Sequence, residues 1–343
     1  MGVDGLMATG RMHAFSGIIY QMARGMKLGI DLSVWLYQVL AGFTRYNRRA
    51  FTAEEIAFLA AQVVSRARKL VQRGVSIVVV FDCPHTSPAK EQTRAERRAS
   101  KARQCADDSE IASVFSEDEA PIVDVHGELQ DAVWRAMHKE GFPCVMSPCE
   151  ADSQLAAMCA DGTIDAVLSV DSDFIVLGAR RIFFNVKYHD GSCNMLELAS
   201  LFKVVPDRAP ECDDPCSWLA GTPTALQSAA VLAYACIARS DFNRIPSIGR
   251  KTAAGLVERA IAAAMDAAFN FPALCALDGS GDAEFRSFLQ AFSVKVHSVH
   301  AAKKGTLLPS EVLDGMLRAF VCFRRPLVFD LASLVERPLT QGL

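Results

Sequence analysis

Short apolar runs that alternate with helical segments constrain the fold of this chain more than any other feature. The run VSIVVVF at residues 75–81 is continuous and rich in β-branched residues, as in strands that are buried on both faces. The segment before it has the pattern of an amphipathic helix, in which Thr52 and Glu55 form a capping box. Further apolar runs occur at residues 27–31, 142–146 and 164–170. This alternation predicts an α/β fold with a mostly parallel twisted sheet flanked by helices.

The composition of the chain limits the class of protein. At 343 residues, 51% hydrophobic and 22% charged, the chain has the composition of a soluble globular protein. The net charge of −3 gives no overall basic signature of a nucleic-acid binder, although a local basic patch could still bind phosphates. The 11 cysteines are scattered, and neither a signal peptide nor a run of 18 apolar residues occurs. We therefore expect an intracellular protein, nuclear if its source is eukaryotic, that does not associate with membranes.

A charged block separates the first half of the predicted sheet from the second. Residues 90–104 carry six basic and two acidic residues, and residues 105–124 carry seven acidic residues and no basic one. The block has little apolar periodicity. Two interpretations stay open at this point: a solvated surface helix, or an excursion from the domain.

Acidic residues stand at or just beyond the end of each predicted strand. In chain order they are Asp31, Asp82, Glu150 with Asp152, and Asp171 with Asp173. Because parallel strands end at the same edge of a sheet, we expect these six carboxylates to converge. Like charges a few ångströms apart repel one another, and a carboxylate site without histidine suits two Mg²⁺ or Mn²⁺ ions that act on a phosphodiester. The alternative is a set of acidic strand ends that point separately into solvent.

The segments that hold these acids resemble the XPG/flap-endonuclease superfamily of structure-specific 5′ nucleases. The similar segments are MGVDGL, GIDLSVWLYQ, VVVFDC, the basic block, SPCEADSQLA, SVDSDFIVLG and RSDFNRIPSIGRKTA. They extend over nearly the whole chain, and their order and spacing are specific. The tail AFVCFRRPLVFDL is more similar to the exonuclease-one branch than to the flap-endonuclease branch. The resemblance implies a PIN-like nuclease core with a helical arch and a C-terminal helical region that contains a helix-two-turn-helix.

The resemblance also implies two metal ions and assigns their ligands. The first ion, Mg²⁺ or Mn²⁺, would be held by Asp31, Asp82, Glu150 and Asp152, and the second by Asp171, Asp173 and Asp241. Members of the family more often have glutamate at the position of Asp152, so the reach of this ligand is shorter here. Only the resemblance brings Asp241 to the site.

Further residues correspond to positions that contact DNA in the family. Lys90, Arg94 and Arg97 are the candidates for the basic arch residues that approach the scissile phosphate, with Lys90 the first choice. Tyr37 matches an aromatic position that stacks on a nucleotide, although a half-buried helix tyrosine is an alternative interpretation. The residues expected to bind DNA are Gly2, Arg98, Lys101, Ser247, Gly249, Arg250 and Lys251.

The segment IPSIGRKTA resembles the helix-two-turn-helix that binds duplex DNA, often together with a K⁺ ion held by backbone carbonyls. A glycine turn at a helix N-terminus presents backbone N–H groups to phosphate. Two departures bear on the K⁺ site: Ser247 stands where glycine is usual, and the run from Asp241 to Gly249 is one residue shorter than typical. We expect the DNA contact to be kept, and the K⁺ site stays open.

The expected regions form one compact catalytic unit. Residues 1–104 are the N-terminal nuclease region with the start of the basic arch, and residues 105–125 are the acidic part of the arch. Residues 126–225 are the internal nuclease region, and residues 226–343 are the helical DNA-binding region with the C-terminal tail.

The resemblance implies an enzyme that hydrolyses DNA phosphodiesters near 5′ ends in repair or replication, as a 5′–3′ exonuclease, a 5′-flap endonuclease or both. Its partner would be double-stranded DNA with a 5′ end, nick, gap or flap. No sliding-clamp motif is evident, and we expect a monomer. Two alternatives stay open: a catalytically silent DNA-binding scaffold of the same family, and a PIN-like ribonuclease. The ribonuclease would share the acidic sheet edge but gives no reason for the basic arch.

Overall fold

The structure is a computed structural model of the chain. The structure describes residues 2–43, 51–83, 125–203, 219–220, 222, 224–266, 282–303, 305–324, 327–330 and 335–338. The helices are α1 (Leu6–Met12), α2 (Ile19–Met22), α3 (Leu32–Phe43), α4 (Ala53–Gln72), α5 (Val125–Lys139), α6 (Ala151–Ala160), α7 (Asp173–Val176), α8 (Thr224–Ile237), α9 (Arg250–Asp266), α10 (Asp282–Ala302) and α11 (Pro309–Arg324). The strands are β1 (Phe15–Ile18), β2 (Lys27–Asp31), β3 (Ser76–Phe81), β4 (Cys144–Met146), β5 (Ala166–Leu168), β6 (Arg181–Phe184), β7 (Ser192–Glu197), β8 (Leu327–Asp330) and β9 (Val335–Pro338).

Seven strands of the described chain form one sheet in the order β1-β7-β6-β5-β2-β3-β4. The five strands from β6 to β4 run parallel to their neighbours, and β7 and β1 add antiparallel pairs at the other edge. The expected α/β fold with a mostly parallel sheet is confirmed. The sequence pattern did not reveal the two antiparallel strands or the separate β8–β9 hairpin.

Alternation along the central strands divides the core into two layers. In β3, Val78 and Val80 face one layer, whereas Ile77, Val79 and Phe81 face the other, because successive side chains of a strand point to opposite faces. Helices α3, α4 and α5 cover the second face. The first face packs against α6 and α7 and continues into helices α8 to α11, so the sheet and the C-terminal helices share one apolar core.

Helix α4 begins where the sequence predicted. The Thr52 backbone N–H donates to Glu55 Oε2 (2.8 Å), and the Glu55 N–H donates to Thr52 Oγ1 (3.3 Å), which completes the capping box. Leu59, Val63 and Leu70 are buried on one face of the helix. This cap fixes the start of the crossover between β2 and β3, and the crossover makes these two neighbouring strands parallel.

Among the described residues, no helix is both long and apolar enough to cross a bilayer.

Candidate functional site

Four neighbouring strands deliver acidic residues to one edge of the sheet. In the order β5-β2-β3-β4 the strands are parallel, so their carboxyl ends lie side by side. Asp31 is the last residue of β2, Asp82 follows β3 directly, and Asp171 comes three residues after β5. Glu150 occupies the N-cap position of α6, after β4. Adjacent strands are about 4.8 Å apart, so this edge places several carboxylates close to one another.

Asp31 is the most buried of the four acids that the resemblance assigns to the first metal, with 3% of its surface exposed. Its Oδ1 accepts from the Ser33 N–H (2.9 Å), and its Oδ2 accepts from Ser169 Oγ (3.0 Å). Burial first, and then the neighbouring Asp82 and Asp171 carboxylates, raise the pKa of the Asp31 carboxyl to about 7, although the hydrogen bonds from Ser169 and Ser33 act in the opposite direction. The negative charge of Asp31 is therefore costly here unless a cation balances it.

Asp82 is held by groups from three other elements. Its Oδ2 accepts from Ser33 Oγ (2.6 Å), and its Oδ1 accepts from the Ala151 N–H (2.8 Å) at the N-terminus of α6. The side chain of Gln130 on α5 donates to the Asp82 carbonyl (2.8 Å). A carboxylate at a helix N-terminus is favoured by the helix dipole. The two oxygens of Asp82 are thus fixed in direction by α3 and α6.

Asp152, Asp171 and Asp173 form a close acidic group. Each offers a carboxylate oxygen, and the three oxygens lie within 4.8 Å of one another. Asp171 and Asp173 are 5% and 2% exposed. The Asp173 N–H donates to Asp171 Oδ1 (3.1 Å), so the loop after β5 orients both side chains together. This grouping places Asp152, which the resemblance assigns to the first metal, close to the two aspartates that it assigns to the second.

Gly2 packs against the same acidic group. It has a left-handed φ of +84°, and a Cβ atom added there would lie 2.0 Å from Asp171 Oδ1 and 2.8 Å from Asp173 Oδ1. Ser172 Oγ donates to the Val3 carbonyl (3.0 Å), which fixes the segment against the loop. Only a residue without a side chain fits this approach.

Asp241 is 7% exposed in the loop after α8. The Asp4 N–H donates to the Arg239 carbonyl (2.8 Å), two residues before Asp241. Since Gly2 lies on Asp171, the N-terminal segment connects the Asp241 loop with the acidic group. The role of Asp241 as a ligand stays a prediction.

The acidic residues fit a divalent metal. The six strand-end acids offer carboxylate oxygens from buried or half-buried side chains. Oxygen donors of this kind are the ligands that hard divalent cations prefer. Burial, together with repulsion from the neighbouring carboxylates, raises the Asp31 pKa, and both costs would be reduced by a bound cation. The number of ions and the ligands of each stay predictions.

Some of the other predicted site residues lie on the described surface, and the rest lie outside the described residues. Tyr37 is 42% exposed on α3, which leaves part of its ring accessible for stacking. Ser247, Gly249, Arg250 and Lys251 are all exposed at the start of α9. The five arch residues lie outside the described residues: Lys90, Arg94, Arg97, Arg98 and Lys101.

Sequence reasoning missed the two serines that connect the acids. Ser33 donates to both Asp31 and Asp82, and Ser169 donates to Asp31 while it accepts from the Asp171 N–H (3.2 Å). Each serine is two residues from an aspartate in sequence, at the carboxyl end of a strand. A small hydroxyl residue at that spacing was the only signal, and it is common in loops.

Comparison with known proteins identifies the family. The XPG N-terminal domain model matches residues 1–104 and the XPG I-region model matches residues 141–232, which together make up more than half of the chain. Exodeoxyribonuclease 1 of Schizosaccharomyces pombe is 26% identical over 203 residues, which cover 58% of this chain and 34% of that protein. Flap endonuclease 1 of Glycine max is 29% identical over 191 residues, which cover 53% of this chain and 50% of that protein. The matched region thus spans between a third and half of the length of these relatives.

Solved structures share the fold. The catalytic core of Rad2 in complex with DNA substrate is 18% identical, with a TM-score of 0.57, and the match covers 95% of this chain and 87% of that one. The eukaryotic junction-resolving enzyme GEN-1, in a structure described as binding with potassium, is 17% identical with a TM-score of 0.54, covering 97% of this chain and 67% of that one. From the two matched domains, the shared fold and the acidic sheet edge, we conclude that the chain belongs to the XPG/flap-endonuclease superfamily.

Proposed function

We propose that this protein is a metal-dependent, structure-specific 5′ nuclease that hydrolyses DNA phosphodiesters near 5′ ends. The observation that carries the proposal is the convergence of acidic residues from four parallel strands, with three carboxylates within 4.8 Å of one another. The relatives named exodeoxyribonuclease and flap endonuclease support the choice of reaction and substrate. We propose two ions per site, Mg²⁺ or Mn²⁺, on the basis of the family resemblance.

The residues of the chain have distinct tasks in this reaction. When bound, the divalent metal lowers the pKa of a coordinated water and stabilises charge on the phosphodiester oxygens. Ser33, Ser169 and the N-terminus of α6 hold the carboxylates in fixed directions, so little reorganisation is needed when the metal and substrate bind. The burial of Asp31 and Asp171 keeps these two carboxylates away from bulk water.

Substrate binding is assigned to surfaces beside this site. Tyr37 would stack on an unpaired nucleotide, and stacking of this kind tolerates any base sequence. Lys90, with Arg94 or Arg97, would neutralise the transferring phosphate. The exposed residues Arg250 and Lys251 would bind the phosphates of the duplex.

Replacement of Asp171 tests the proposed reaction. We expect Asp171→Ala to lower the cleavage rate of a 5′-flap or nicked duplex by on the order of 10³-fold or more, because metal ions supply several kcal/mol of charge stabilisation. Binding of the same DNA, measured by fluorescence anisotropy, should persist. The control is Asp314→Ala, which removes an exposed aspartate on α11. Undiminished turnover by Asp171→Ala would overturn the assignment.

A substrate panel distinguishes the branches of the family and the alternatives. We would incubate the wild-type protein and Mg²⁺ with 5′-labelled and 3′-labelled flap, nicked and blunt duplexes, and with matched RNA. Release of mononucleotides from blunt ends would indicate an exonuclease, and release of an intact flap would indicate a flap endonuclease. Binding without cleavage would indicate a scaffold, and cleavage of RNA alone would indicate a ribonuclease.

A further inference from the structure

The turn before α9 is connected to the C-terminal end of α10 by side chains that the proposed reaction does not use. Ser247 lies in this turn with a left-handed φ of +66°, a conformation that is unfavourable for a residue with a side chain. The Ser247 side chain is exposed, as are the neighbouring Arg250 and Lys251. The turn is therefore both strained and placed on the surface that would meet DNA, and something must hold it.

Lys303 contacts this turn from the last residues of the α10 segment. Its ammonium group donates to the Ser247 carbonyl (3.2 Å) and to Thr252 Oγ1 in the first turn of α9 (2.9 Å). The Lys303 ammonium thus joins the strained carbonyl to the helix that follows it. A backbone carbonyl and a hydroxyl are the neutral oxygen donors that a monovalent cation would also use.

His300 supports the same turn from within the core. It is fully buried, and its Nε2 accepts from the Leu307 N–H (3.1 Å), so the ring carries its proton on Nδ1. Nδ1 lies 2.7 Å from the Pro246 carbonyl, to which it donates, and 3.0 Å from Ser247 Oγ. Both ring nitrogens are used, and the ring orientation is fixed by contacts on both sides.

A glycine allows the chain to close over this histidine. A Cβ atom at Gly305 would lie 2.1 Å from His300 Cε1 and Nε2. The segment after α10 can therefore fold back to the ring only with glycine at this position. The connection between α10 and the turn is built from long-range contacts.

The residues present do not fit the K⁺ ion that the family resemblance implies for this turn. The Lys303 ammonium is already within hydrogen-bonding distance of the Ser247 carbonyl and Thr252 Oγ1. A second cation on the same oxygens would be repelled by it. An ammonium group carries the same single charge as K⁺ and forms comparable contacts with carbonyl oxygens.

We propose that Lys303 replaces a bound monovalent cation at the DNA-binding turn, so that this chain binds duplex DNA without requiring K⁺. Lys303 is a positioning residue, because it acts by holding the Ser247 carbonyl and the start of α9. The proposal rests on the proposed function for its DNA readout. Its structural part concerns the turn alone.

The test compares cations that can and cannot coordinate oxygen. We would measure the Kd of wild-type protein for a nicked duplex by anisotropy, with Ca²⁺ in place of Mg²⁺, in potassium chloride and in tetramethylammonium chloride at equal ionic strength. The wild-type Kd should differ less than about twofold between the salts, since the ammonium of Lys303 is always present. Lys303→Met should weaken binding about tenfold in tetramethylammonium, K⁺ should restore part of the loss, and Lys303→Arg should retain more affinity than Lys303→Met.

The control variant is Lys295→Met, which removes an exposed lysine two helical turns earlier on α10. We expect this variant to bind equally in both salts, with a smaller loss of affinity than Lys303→Met. A wild-type Kd that depends on K⁺, or equal effects of Lys303→Met and Lys295→Met, would overturn the proposal.

A second measurement separates the turn from DNA binding. Without DNA, the Tm of Lys303→Met should lie further below the wild-type Tm than the Tm of Lys295→Met does. Addition of K⁺ should raise the Tm of Lys303→Met and leave that of Lys295→Met unchanged. If the protein binds no DNA in any salt while this Tm pattern holds, the proposed function fails and the role of Lys303 stands. If DNA binding holds but the Tm values do not separate, the role of Lys303 fails alone.

Discussion

Hydroxyl groups organise the acidic edge at the scale of single residues. Ser33 is the shared donor between Asp31 and Asp82, with its backbone N–H on the first and its Oγ on the second. Ser169 Oγ donates to Asp31 and accepts from the Asp171 backbone N–H, so it connects these two aspartates. These groups do not change the charge of the site, but they determine where the carboxylate oxygens point. Groups that orient metal ligands commonly affect metal affinity nearly as much as the ligands do.

Replacement of Ser33 tests this role. We expect Ser33→Ala to raise the Mg²⁺ concentration for half-maximal cleavage by about 10–100-fold, because Asp82 loses the bond that fixes one of its oxygens. Calorimetric titration with Mn²⁺ should show the same loss without a reaction. Ser76→Ala is the control, since Ser76 is exposed at the start of β3, the opposite end of the strand. Equal metal affinities of the two variants would contradict the role of Ser33.

At the scale of elements, the position of α6 determines where three of the six strand-end acids lie. Glu150 occupies the N-cap position of this helix, Asp152 lies in its first turn, and its first N–H donates to Asp82. The helix packs closely on β2 because Gly29 has no side chain: a Cβ atom there would lie 2.4 Å from Leu155 Cδ2 and from Ile164 Cδ1. The distance between helix and strand is thus set by one glycine in the middle of a strand.

Gly29→Ala should therefore disturb both stability and the site. We expect the free energy of unfolding in urea to fall by about 1–3 kcal/mol, because the added methyl group overpacks the contact with α6. Cleavage should fall as well, since the shift of α6 moves Asp152 relative to Asp171. Gly255→Ala provides a control of opposite sign: a Cβ atom there meets only Arg259 Nη1 at 3.4 Å, and alanine in place of a helical glycine stabilises by about 1 kcal/mol. A neutral Gly29→Ala would show that α6 can move without cost.

Local patterns in the sequence predicted the elements that depend on local rules. The capping box of Thr52, the buried run of β3 and the acids that end parallel strands all follow from spacing within a few residues. The pairing of β1 with β7 joins Phe15 to Met195, and no periodicity in two short, half-exposed strands specifies so distant a partner. The bond between Lys303 and Ser247 is equally non-local. The sequence therefore predicts which residues are chemically able to act, whereas long-range packing decides which of them meet.

At the scale of the whole molecule, the N-terminal segment connects the sheet with the C-terminal helices. Gly2 and Val3 contact the loop of Asp171 and Ser172, while the Asp4 carbonyl accepts from the buried hydroxyl of Tyr234 on α8 (2.7 Å). Val3 and Leu6 belong to the apolar core that the sheet and these helices share. The division into nuclease and helical regions stays a prediction, but the two parts share contacts directly beside the acidic group.

Tyr234→Phe tests whether this connection supports the site. The change removes one hydrogen bond and leaves the Asp4 carbonyl without that donor, which should lower the free energy of unfolding by about 1 kcal/mol. Cleavage should fall more than DNA binding does, because the freed segment no longer holds Gly2 against Asp171. Tyr20→Phe is the matched control, since Tyr20 packs against the opposite core layer. If both variants lose equal stability and activity, the N-terminal segment does not couple the helices to the acidic edge; if only Tyr234→Phe loses activity, the segment transmits the position of α8 to Asp171.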